Sequence, residues 1–474
     1  MFQIPGTYSH ADVMIDTVEP ECIEQIRSFL NHPLYEGSRI AIMPDTHGGK
    51  GSVIGFTCTL NGQGISPNVV GVDIGCGMNC REIGSPGDLA ALDAVIRSAV
   101  PLGMSFHETA VATMENDFPW SDVDRDVARF VLEFNRKFGS AYDSPVIDYA
   151  WFTGLADKIR FAEQPLKKYI ARVNQSLGTL GGGNHFIEID RDETGRHWLV
   201  IHSGSRNLGK RVADHFQALA QGQEHNRDFP KDLAYLKGQD MMDYLATMVV
   251  MRHFAGLNRS LMGRLIADAG NLETGAMIET IHNYIDDRDF TIRKGAIRSY
   301  TGEQMLIPFN MRDGSWLCEG KSNPDWNCSA PHGAGRVMSR NEARRTLKLD
   351  DYIRQMEGIF TTSVDINTLD EAPGSYKPAS VIQDALGPTA TIIRQLKPVY
   401  NLKSSEDSRY DRGKVDKRAD PDNSPDAIWA RVKKTLPARV LAENDEPFLR
   451  AEFEKGPRAF CDTYRKKTGE TRQP

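Results

Sequence analysis

Features that define several protein classes are missing from this 474-residue chain. Its seven cysteines are odd in number and widely spaced, which excludes the disulfide framework of a small secreted domain. No apolar run approaches the ~20 residues of a membrane-spanning helix. The N-terminal segment is interrupted by Pro5, His10 and Asp12, so it does not resemble a signal peptide. We therefore expect a soluble protein of a reducing cytoplasm, without membrane association.

The chain also lacks an excess of positive charge, a Walker loop, a dinucleotide-binding glycine fingerprint and an internal repeat. Its formal net charge is −7, so any nucleic acid must bind to a local basic patch. The missing glycine motifs exclude a P-loop ATPase and a Rossmann domain. What is present is a hydrophobic content of 40%, which is enough for a large buried core.

Strand-like and helix-like patterns are mixed along the chain. Apolar runs beside glycine turns predict strands, whereas a 3.6-residue periodicity predicts helices. Ser339 and Glu342 have capping-box spacing, which predicts a helix through about Leu347. The mixture predicts an α/β (mixed α+β) fold of layered sheets and helices, not a Rossmann fold. Strands are predicted at 39–43, 52–60, 68–74, 185–189, 198–202, 305–309 and 390–402, and helices at 123–137, 206–222, 240–268 and 273–285.

The composition changes near residue 403. The motifs described below are spread over the chain before that point, so a single catalytic domain, 1–403, is predicted to bring them together. Residues 404–423 are dominated by Asp, Glu, Lys, Arg and Ser, and 404–474 is therefore predicted to be a charged linker with a C-terminal extension. This extension is either a flexible or packing appendage or an arm that contacts RNA or a partner.

The most informative single residue is His332, which lies in a glycine-rich loop. Gly333 and Gly335 would let main-chain N–H groups close around a phosphate. The imidazole could attack that phosphate and hold it covalently, and Arg336 could neutralise the developing charge. The alternative is an ordinary tight turn with a surface histidine.

Other segments contain a set of candidate metal ligands: Asp73, Cys76, His185, His202 and His282. Carboxylate, imidazole and thiolate donors suit Mn²⁺, Zn²⁺ or Co²⁺ better than Mg²⁺. Two metal ions are a common solution for phosphoryl chemistry. Each residue taken alone also fits a structural role, such as a buried histidine or a small apolar cysteine. The spacing by itself leaves the metal and the reaction open.

Longer motifs surround these residues and occur in a fixed order. They resemble the RtcB family of GTP-dependent RNA ligases over about residues 37–403, which implies a single RtcB-like catalytic domain. The motifs are Pro44-Asp45-Thr46-His47-Gly-Gly-Lys50, Gly71-Val-Asp73-Ile-Gly-Cys76, Leu177-Gly-Thr-Leu-Gly-Gly-Gly-Asn184-His185-Phe-Ile-Glu188, His202-Ser-Gly-Ser-Arg206, His282-Asn283-Tyr and His332-Gly-Ala-Gly-Arg336.

The resemblance implies an enzyme that joins an RNA 3′-phosphate or 2′,3′-cyclic phosphate end to a 5′-hydroxyl end, in RNA repair or tRNA splicing. It implies GTP and two Mn²⁺ ions as cofactors, RNA and GTP as partners, and an archease-like activator as a further partner to test. By analogy His332 attacks the α-phosphate of GTP and becomes linked to GMP, which then passes to the RNA 3′-phosphate.

Site residues follow from the resemblance position by position. Asp73 and Cys76 would bridge the two manganese ions, His185 would complete one, and His202 and His282 would complete the other. The implied nucleotide-binding residues are Asn184, His185, Phe186, Ile187, Glu188, His282, Asn283, Pro308, Asn310, Met311, Ser315, His332, Gly333, Ala334, Gly335 and Lys403.

The chain departs from the family pattern around residues 308–315, where Asn310 replaces a serine and the pair Arg312–Asp313 is added. About seventy residues also follow Lys403, whose family counterpart is usually terminal. These departures indicate a divergent branch, with a role in RNA repair. Two other functions remain open: a metal-dependent phosphodiesterase acting on cyclic phosphate ends, and a non-catalytic RNA-binding protein with a structural metal.

Overall fold

A computed structural model describes residues 1–404 of the chain. The predicted linker and C-terminal extension, apart from Ser404, lie outside the described residues, so the boundary after residue 403 stays a prediction. Among residues 1–404, no helix is both long enough and apolar enough to cross a membrane. The described part combines helices with several sheets, which confirms the predicted mixed α/β class.

The secondary-structure elements are numbered here in chain order. The strands are β1 (Phe2–Pro5), β2 (His10–Val13), β3 (Ile40–His47), β4 (Ile54–Thr59), β5 (Gly77–Ile83), β6 (Phe186–Arg191), β7 (His197–Ser203), β8 (Thr274–Ile281), β9 (Asn283–Ile285), β10 (Thr291–Lys294), β11 (Ala296–Arg298), β12 (Gln304–Pro308), β13 (Ser315–Gly320), β14 (Ser329–Pro331), β15 (Phe360–Thr361) and β16 (Ala390–Lys403). The α-helices are α1 (Pro20–Leu30), α2 (Pro67–Val70), α3 (Leu89–Ala99), α4 (Trp120–Phe138), α5 (Tyr149–Ile159), α6 (Leu166–Ser176), α7 (Arg206–Gly222), α8 (Gly238–Gly270), α9 (Arg340–Thr346), α10 (Leu349–Gln355) and α11 (Ala379–Leu386).

The largest sheet curves almost into a barrel. Its strand order is β12-β13-β16-β6-β7-β5-β8, and β15 pairs with β16. The first and last strands approach each other, since the Leu306 N–H donates to Thr280 Oγ1 at 3.0 Å. Apolar side chains such as Met78, Val200 and Leu317 fill the interior. In the order β6-β7-β5-β8, each strand is antiparallel to the next. The ends of these strands therefore lie at two common edges of the sheet.

A second sheet has six strands in the order β1-β2-β3-β4-β10-β9, and the pair β11–β14 is separate. The helix α8, which is 33 residues long, packs between other helices and both large sheets. Buried side chains are spread around most of its circumference, and its exposed residues include Asp243, Arg264 and Asp268. In contrast, α4 buries Val123, Val127, Phe130 and Phe134 on one face only, and Gly139 ends it in a left-handed conformation.

Most predicted elements are confirmed, and two are wrong. Ser339 caps α9 by accepting from the Glu342 N–H, as the capping-box spacing predicted. The predicted strand 68–74 is instead the short helix α2 followed by a turn, because a short buried apolar run is compatible with either structure. The predicted helix 273–285 is the strand pair β8 and β9. There, pairing of β8 with β5 overrides the helical spacing of Met277, Ile278 and Ile281.

Candidate active site

The five predicted metal ligands converge at one end of the barrel. Cys76 Sγ lies 3.5 Å from His185 Nε2 and 3.3 Å from His202 Nε2. His202 Nε2 is 3.1 Å from His282 Nε2, and His185 Nε2 is 3.2 Å from Asp73 Oδ2. The five donor atoms therefore form one continuous cluster.

Strand pairing produces this convergence. Asp73 and Cys76 lie in the turn before β5, and His185 immediately precedes β6. His202 is near the end of β7, opposite Phe186 and Met78, and His282 follows β8. Because the four strands are adjacent and antiparallel, two strand beginnings and two strand ends meet at one edge. His282 was predicted late in a helix, so its true position between two strands is a correction.

The histidines are oriented for metal binding. His185 Nδ1 is bonded to the Leu180 carbonyl at 3.0 Å and His202 Nδ1 to the Asn184 carbonyl at 3.1 Å, which leaves both Nε2 atoms facing the cluster. Burial lowers the pKa of His202 and His282, which keeps them neutral as ligands. Asp73 Oδ1 accepts a hydrogen bond from the Ser205 N–H at 2.9 Å. The other carboxylate oxygen, Oδ2, therefore faces His185.

The donor set fits a metal ion on chemical grounds. Burial, followed by the charge of Asp73, raises the pKa of the Cys76 thiol well above its usual value. Burial would also raise the pKa of Asp73, but the hydrogen bond and charge of His185 lower it below its usual range. A cation would stabilise both the carboxylate and a thiolate here, because a coordinated thiol loses its proton. Cys76, His185 and His202 alone bring their ligand atoms within 4.8 Å of one another.

Two polar residues of α8 fasten the ligand-bearing loops, and sequence reasoning missed both. Arg259 donates to the carbonyls of Gly75 and Ser203 at 2.8 Å each, and Asn258 donates to the Gly204 carbonyl at 3.1 Å. The available signal was an adjacent pair of polar residues, Asn258 and Arg259, within the largely apolar segment 254–263. At Gly204 a side chain is excluded, because a Cβ there would lie 2.2 Å from an Asp73 oxygen.

His332 follows β14 and is held by Asp45 at the end of β3. Asp45 Oδ2 accepts from the main-chain N–H groups of His332 and Gly333 at 3.0 and 3.1 Å, and lies 2.5 Å from His332 Nδ1. A carboxylate acceptor assigns the proton to Nδ1 and leaves the Nε2 lone pair free. Gly335 has φ +74°, and a Cβ there would lie 2.2 Å from the Asp45 carbonyl.

Asp45 belongs to one of the sequence motifs, but the motif alone did not assign it a role. The His332 ring centroid lies 4.8 Å from that of His282, so the histidine with the free Nε2 borders the metal cluster. The signal that could have identified Asp45 was its place in the polar motif Pro44-Asp45-Thr46-His47 at the end of a strand.

We expect Asp45→Asn to slow any reaction in which His332 is the nucleophile by roughly 10²- to 10⁴-fold, the range seen when the orienting Asp of a Ser-His-Asp triad is replaced. An amide can donate to Nδ1 and thereby stabilise the wrong tautomer. Single-turnover kinetics of histidine modification would measure the change. A rate within threefold of the unchanged protein would contradict the orienting role.

A cavity of about 1140 Å³ opens beside His332. Among its lining residues are Asn184, Phe186, Glu188, His332 and Lys403, from β6, β16 and the His332 loop. Burial raises the pKa of Glu188 to about 8, although the hydrogen bond from Asn401 opposes this shift. Lys403 Nζ lies 5.5 Å from the Phe186 ring centroid. The cavity therefore joins the histidine to a carboxyl, an amine and an aromatic face.

Of the predicted nucleotide-binding residues, most line this cavity and a few do not. Pro308, Asn310, Met311, Gly333, Ala334 and Gly335 are among the lining residues. Ile187 is fully buried in the core on the other face of β6. Asn283 supports the metal turn, since its Nδ2 donates to the Asp73 carbonyl at 3.1 Å. Ser315 is fully buried and does not line the cavity.

In the unusual loop 308–315, Asn310, Arg312 and Asp313 are hydrogen-bonded to one another. Asn310 Nδ2 donates to Asp313 Oδ2 at 2.8 Å, and Asn310 Oδ1 accepts from the Arg312 and Asp313 N–H groups at 3.0 Å each. Arg312 pairs with Asp313 at 2.8 Å. The added charged pair is therefore neutralised within the loop.

Glu371 is the centre of an ionic network at the rim of the cavity. Lys403 Nζ donates to its Oε2 at 2.5 Å, and Arg340 and Arg336 approach its Oε1 at 2.6 and 3.3 Å. Burial would raise the pKa of Glu371, but these three cations outweigh it and lower the pKa to about 2. Glu371 thereby orients Lys403 and Arg336, and sequence reasoning did not identify it.

Glu371→Gln is expected to destabilise the protein at pH 7 by on the order of 3 kcal/mol, because three cations lose a buried partner. Since the folded pKa lies below the unfolded one, this stabilisation is complete above about pH 5 and is lost as the pH falls towards about 2. Urea unfolding from pH 7 to pH 2 should show the variant approaching the unchanged protein at low pH. Equal stability at pH 7 would contradict the network, and Glu24→Gln, in an exposed pair with Arg27, is the control.

The protein has a mixed α/β fold, and a buried cysteine–histidine–carboxylate cluster that could hold a metal ion lies beside a large cavity. A family model described as "tRNA-splicing ligase RtcB" matches residues 25–404. The chain is 32% identical over 415 residues to RNA-splicing ligase RtcB of Escherichia coli strain K12, covering 81% of this chain and 95% of that protein. It is 27% identical over 423 residues to tRNA-splicing ligase RtcB of Pyrobaculum aerophilum, covering 75% and 85%. The chain belongs to the RtcB family, and the predicted resemblance is confirmed.

Proposed function

We propose that this RtcB-family protein is an RNA ligase that joins a 3′-phosphate or 2′,3′-cyclic phosphate end to a 5′-hydroxyl end, using GTP and Mn²⁺. The family membership and the names of its relatives support an RNA ligase in repair or splicing. One observation carries the specific mechanism: His332 has Nδ1 engaged by Asp45, and its ring borders both the metal cluster and the cavity.

In the first step, His332 Nε2 attacks the α-phosphorus of GTP. A P–N bond forms, the bond to the bridging oxygen breaks, and pyrophosphate leaves. The proton stays on His332 Nδ1, where it is hydrogen-bonded to Asp45. The Asp45 carboxylate stabilises the positive charge that develops on the ring. The Gly333 N–H is already bonded to Asp45, so the main-chain N–H groups of Ala334 and Gly335 would be the loop's donors to phosphate oxygens.

GMP then passes from His332 to an oxygen of the RNA 3′-phosphate, which regenerates the free imidazole. The 5′-hydroxyl of the second RNA end attacks that activated phosphorus, and GMP leaves as a phosphodiester forms. Activation is needed because an unmodified phosphomonoester has no good leaving group. A 2′,3′-cyclic phosphate end would first be hydrolysed to the 3′-phosphate.

The cluster of Asp73, Cys76, His185, His202 and His282 would hold the manganese ions. Bound metal would offset phosphate charge during nucleotidyl transfer. The neutral histidines and the Cys76 thiolate would supply donors softer than the oxygen shell that Mg²⁺ prefers.

Glu188 and Lys403 would distinguish guanine from adenine in the cavity. A carboxylate accepts hydrogen bonds from the adjacent N–H groups on the guanine edge, and an ammonium donates to the guanine carbonyl. Adenine presents the opposite pattern. Burial raises the pKa of Glu188, whereas the hydrogen bond from Asn401 and the charge of Lys403 favour its charged form.

The decisive experiment incubates the purified chain with Mn²⁺ and α-labelled GTP, then adds RNA fragments with 3′-phosphate and 5′-hydroxyl ends. We expect an acid-labile protein–GMP adduct. We also expect a joined RNA product whose formation requires both Mn²⁺ and GTP. Opening of the cyclic phosphate without an adduct would indicate the phosphodiesterase instead. RNA binding without turnover would indicate a binding protein with a structural metal.

We also propose that the protein acts in the cytoplasm. The six cysteines among residues 1–404 are all free thiols, as expected in a reducing compartment. Addition of an archease-like activator to the joining assay would test the remaining predicted partner.

A further inference from the structure

Outside the cavity, two arginine side chains lie over exposed phenylalanine rings. Arg172 Cζ is 3.2 Å from the centroid of the Phe106 ring, and Arg211 Cζ is 3.4 Å from that of Phe161. Phe161 is 63% exposed and Phe106 is 37% exposed. Each ring therefore keeps an accessible part on which a further planar group could stack.

The surroundings of these rings are positively charged, in contrast to the chain as a whole. Residues 157–176 contain five basic and two acidic residues, whereas the net charge of the chain is −7. Lys167 and Lys168 are exposed, and neither has a carboxylate partner among the described residues. We name this region the stacked-arginine surface and define it by Phe106, Phe161, Lys167, Lys168, Arg172 and Arg211.

The stacked-arginine surface is connected directly to the metal site. Arg206, the first residue of α7, donates to the Gly103 carbonyl at 3.1 Å, and its charge acts on Asp73. Arg211 follows on α7 a little more than one turn later.

The loop that carries Phe106 is fixed at both sides. The Gly103 N–H donates to the Gly181 carbonyl at 2.9 Å, and the His107 N–H donates to the Gln175 carbonyl of α6 at 3.0 Å. Gly181 lies four residues before His185. Hydrogen bonds through Gly103 and Gly181 therefore link the Phe106 loop to the segment that precedes His185.

We propose that the stacked-arginine surface binds a single-stranded RNA segment adjacent to the end that is joined, an inference that rests on the proposed function. Single-stranded nucleic acid is bound by combining cations for the phosphates with aromatic or guanidinium planes for the bases, and this surface has both. A strongly acidic protein partner would match the lysines but would not need stacking planes. The chemistry therefore favours RNA.

The test measures binding of a fluorescent RNA of about 12 nucleotides with a 3′-phosphate to the full chain, without GTP, over a series of salt concentrations. Lys167→Gln/Lys168→Gln should reduce the slope of log K against log salt by about 1.4, since each phosphate contact on a single strand contributes about 0.7. Phe161→Ala should weaken binding roughly tenfold at constant slope, because it removes a stacking plane but no charge.

The control variant is Lys231→Gln/Lys237→Gln. Both lysines are exposed, and the Lys231 carbonyl accepts from Gln217 and Gln221 near the opposite end of α7. A loss in the control as large as in the Lys167/Lys168 variant would overturn the proposal, as would unchanged affinity and slope in both test variants or absence of RNA binding in the unchanged chain. Thermal unfolding checks that each variant is folded. GMP labelling needs no RNA, so it reports separately on the proposed function.

Discussion

His332→Ala is expected to incorporate no label from α-labelled GTP, whereas the unchanged chain becomes labelled in a form that survives denaturation. Alanine offers no nitrogen to the α-phosphorus, and Asp45, left without its partner, is a poor substitute nucleophile. The effect should be complete, unlike the partial loss expected for Asp45→Asn. Gel autoradiography followed by acid treatment measures it, because a phosphoramidate is acid-labile.

The amount of bound metal should be unchanged in His332→Ala, because His332 is not one of the five donor residues. The centroid of the His332 ring lies 4.8 Å from that of the His282 ring. His10→Ala provides a matched control, since His10 is exposed on β2. An adduct of normal amount in His332→Ala would remove His332 as the nucleophile. Peptide mapping would then identify the modified residue.

Cys76→Ala is expected to lose bound manganese and GMP labelling together. Cys76 Sγ contacts the Nε2 atoms of both His185 and His202, so its removal takes away the donor that links the two halves of the cluster. The remaining imidazoles bind an ion more weakly. Elemental analysis after equilibration with Mn²⁺ and gel filtration measures the metal, and labelling is assayed on the same sample.

Cys80→Ala distinguishes this effect from the loss of a buried thiol. Cys80 lies four residues after Cys76 on β5, where it is fully buried among apolar side chains of the barrel, and burial raises its pKa. We expect the control to retain its metal and its labelling. Stoichiometric manganese with full labelling in Cys76→Ala would exclude Cys76 from the site.

Much of the candidate site could be predicted from the sequence because its residues lie in long motifs. Asp73, Cys76, His185, His202, His282 and His332 were all proposed from such motifs, and the structure brings their side chains together. Helices with a clear polar and apolar face, such as α7, also matched their predicted bounds. A local sequence pattern is sufficient for such helices and motifs, because the residues that form them are close together in sequence.

The errors have a common cause in burial and strand pairing. Within the run 68–74, the residues of α2 are all buried, so the apolar pattern did not distinguish helix from strand. In the segment 273–285, β9 pairs with the nearby β10, whereas β8 forms because β5 offers a partner edge about 200 residues away in sequence. No local pattern encodes such a partner.

The sequence by itself determined the donor types, the family and the order of the motifs, since these depend only on which residues are present. Only the tertiary structure decided that Asp45 orients His332, that Glu371 engages Lys403, and that Ile187 and Ser315 face away from the cavity. The physical reason is that hydrogen bonds and ion pairs depend on distances of about 3 Å. Asp45 and His332 are nearly 290 positions apart in sequence. They reach that distance only because β14, which precedes His332, packs beside β3, which contains Asp45.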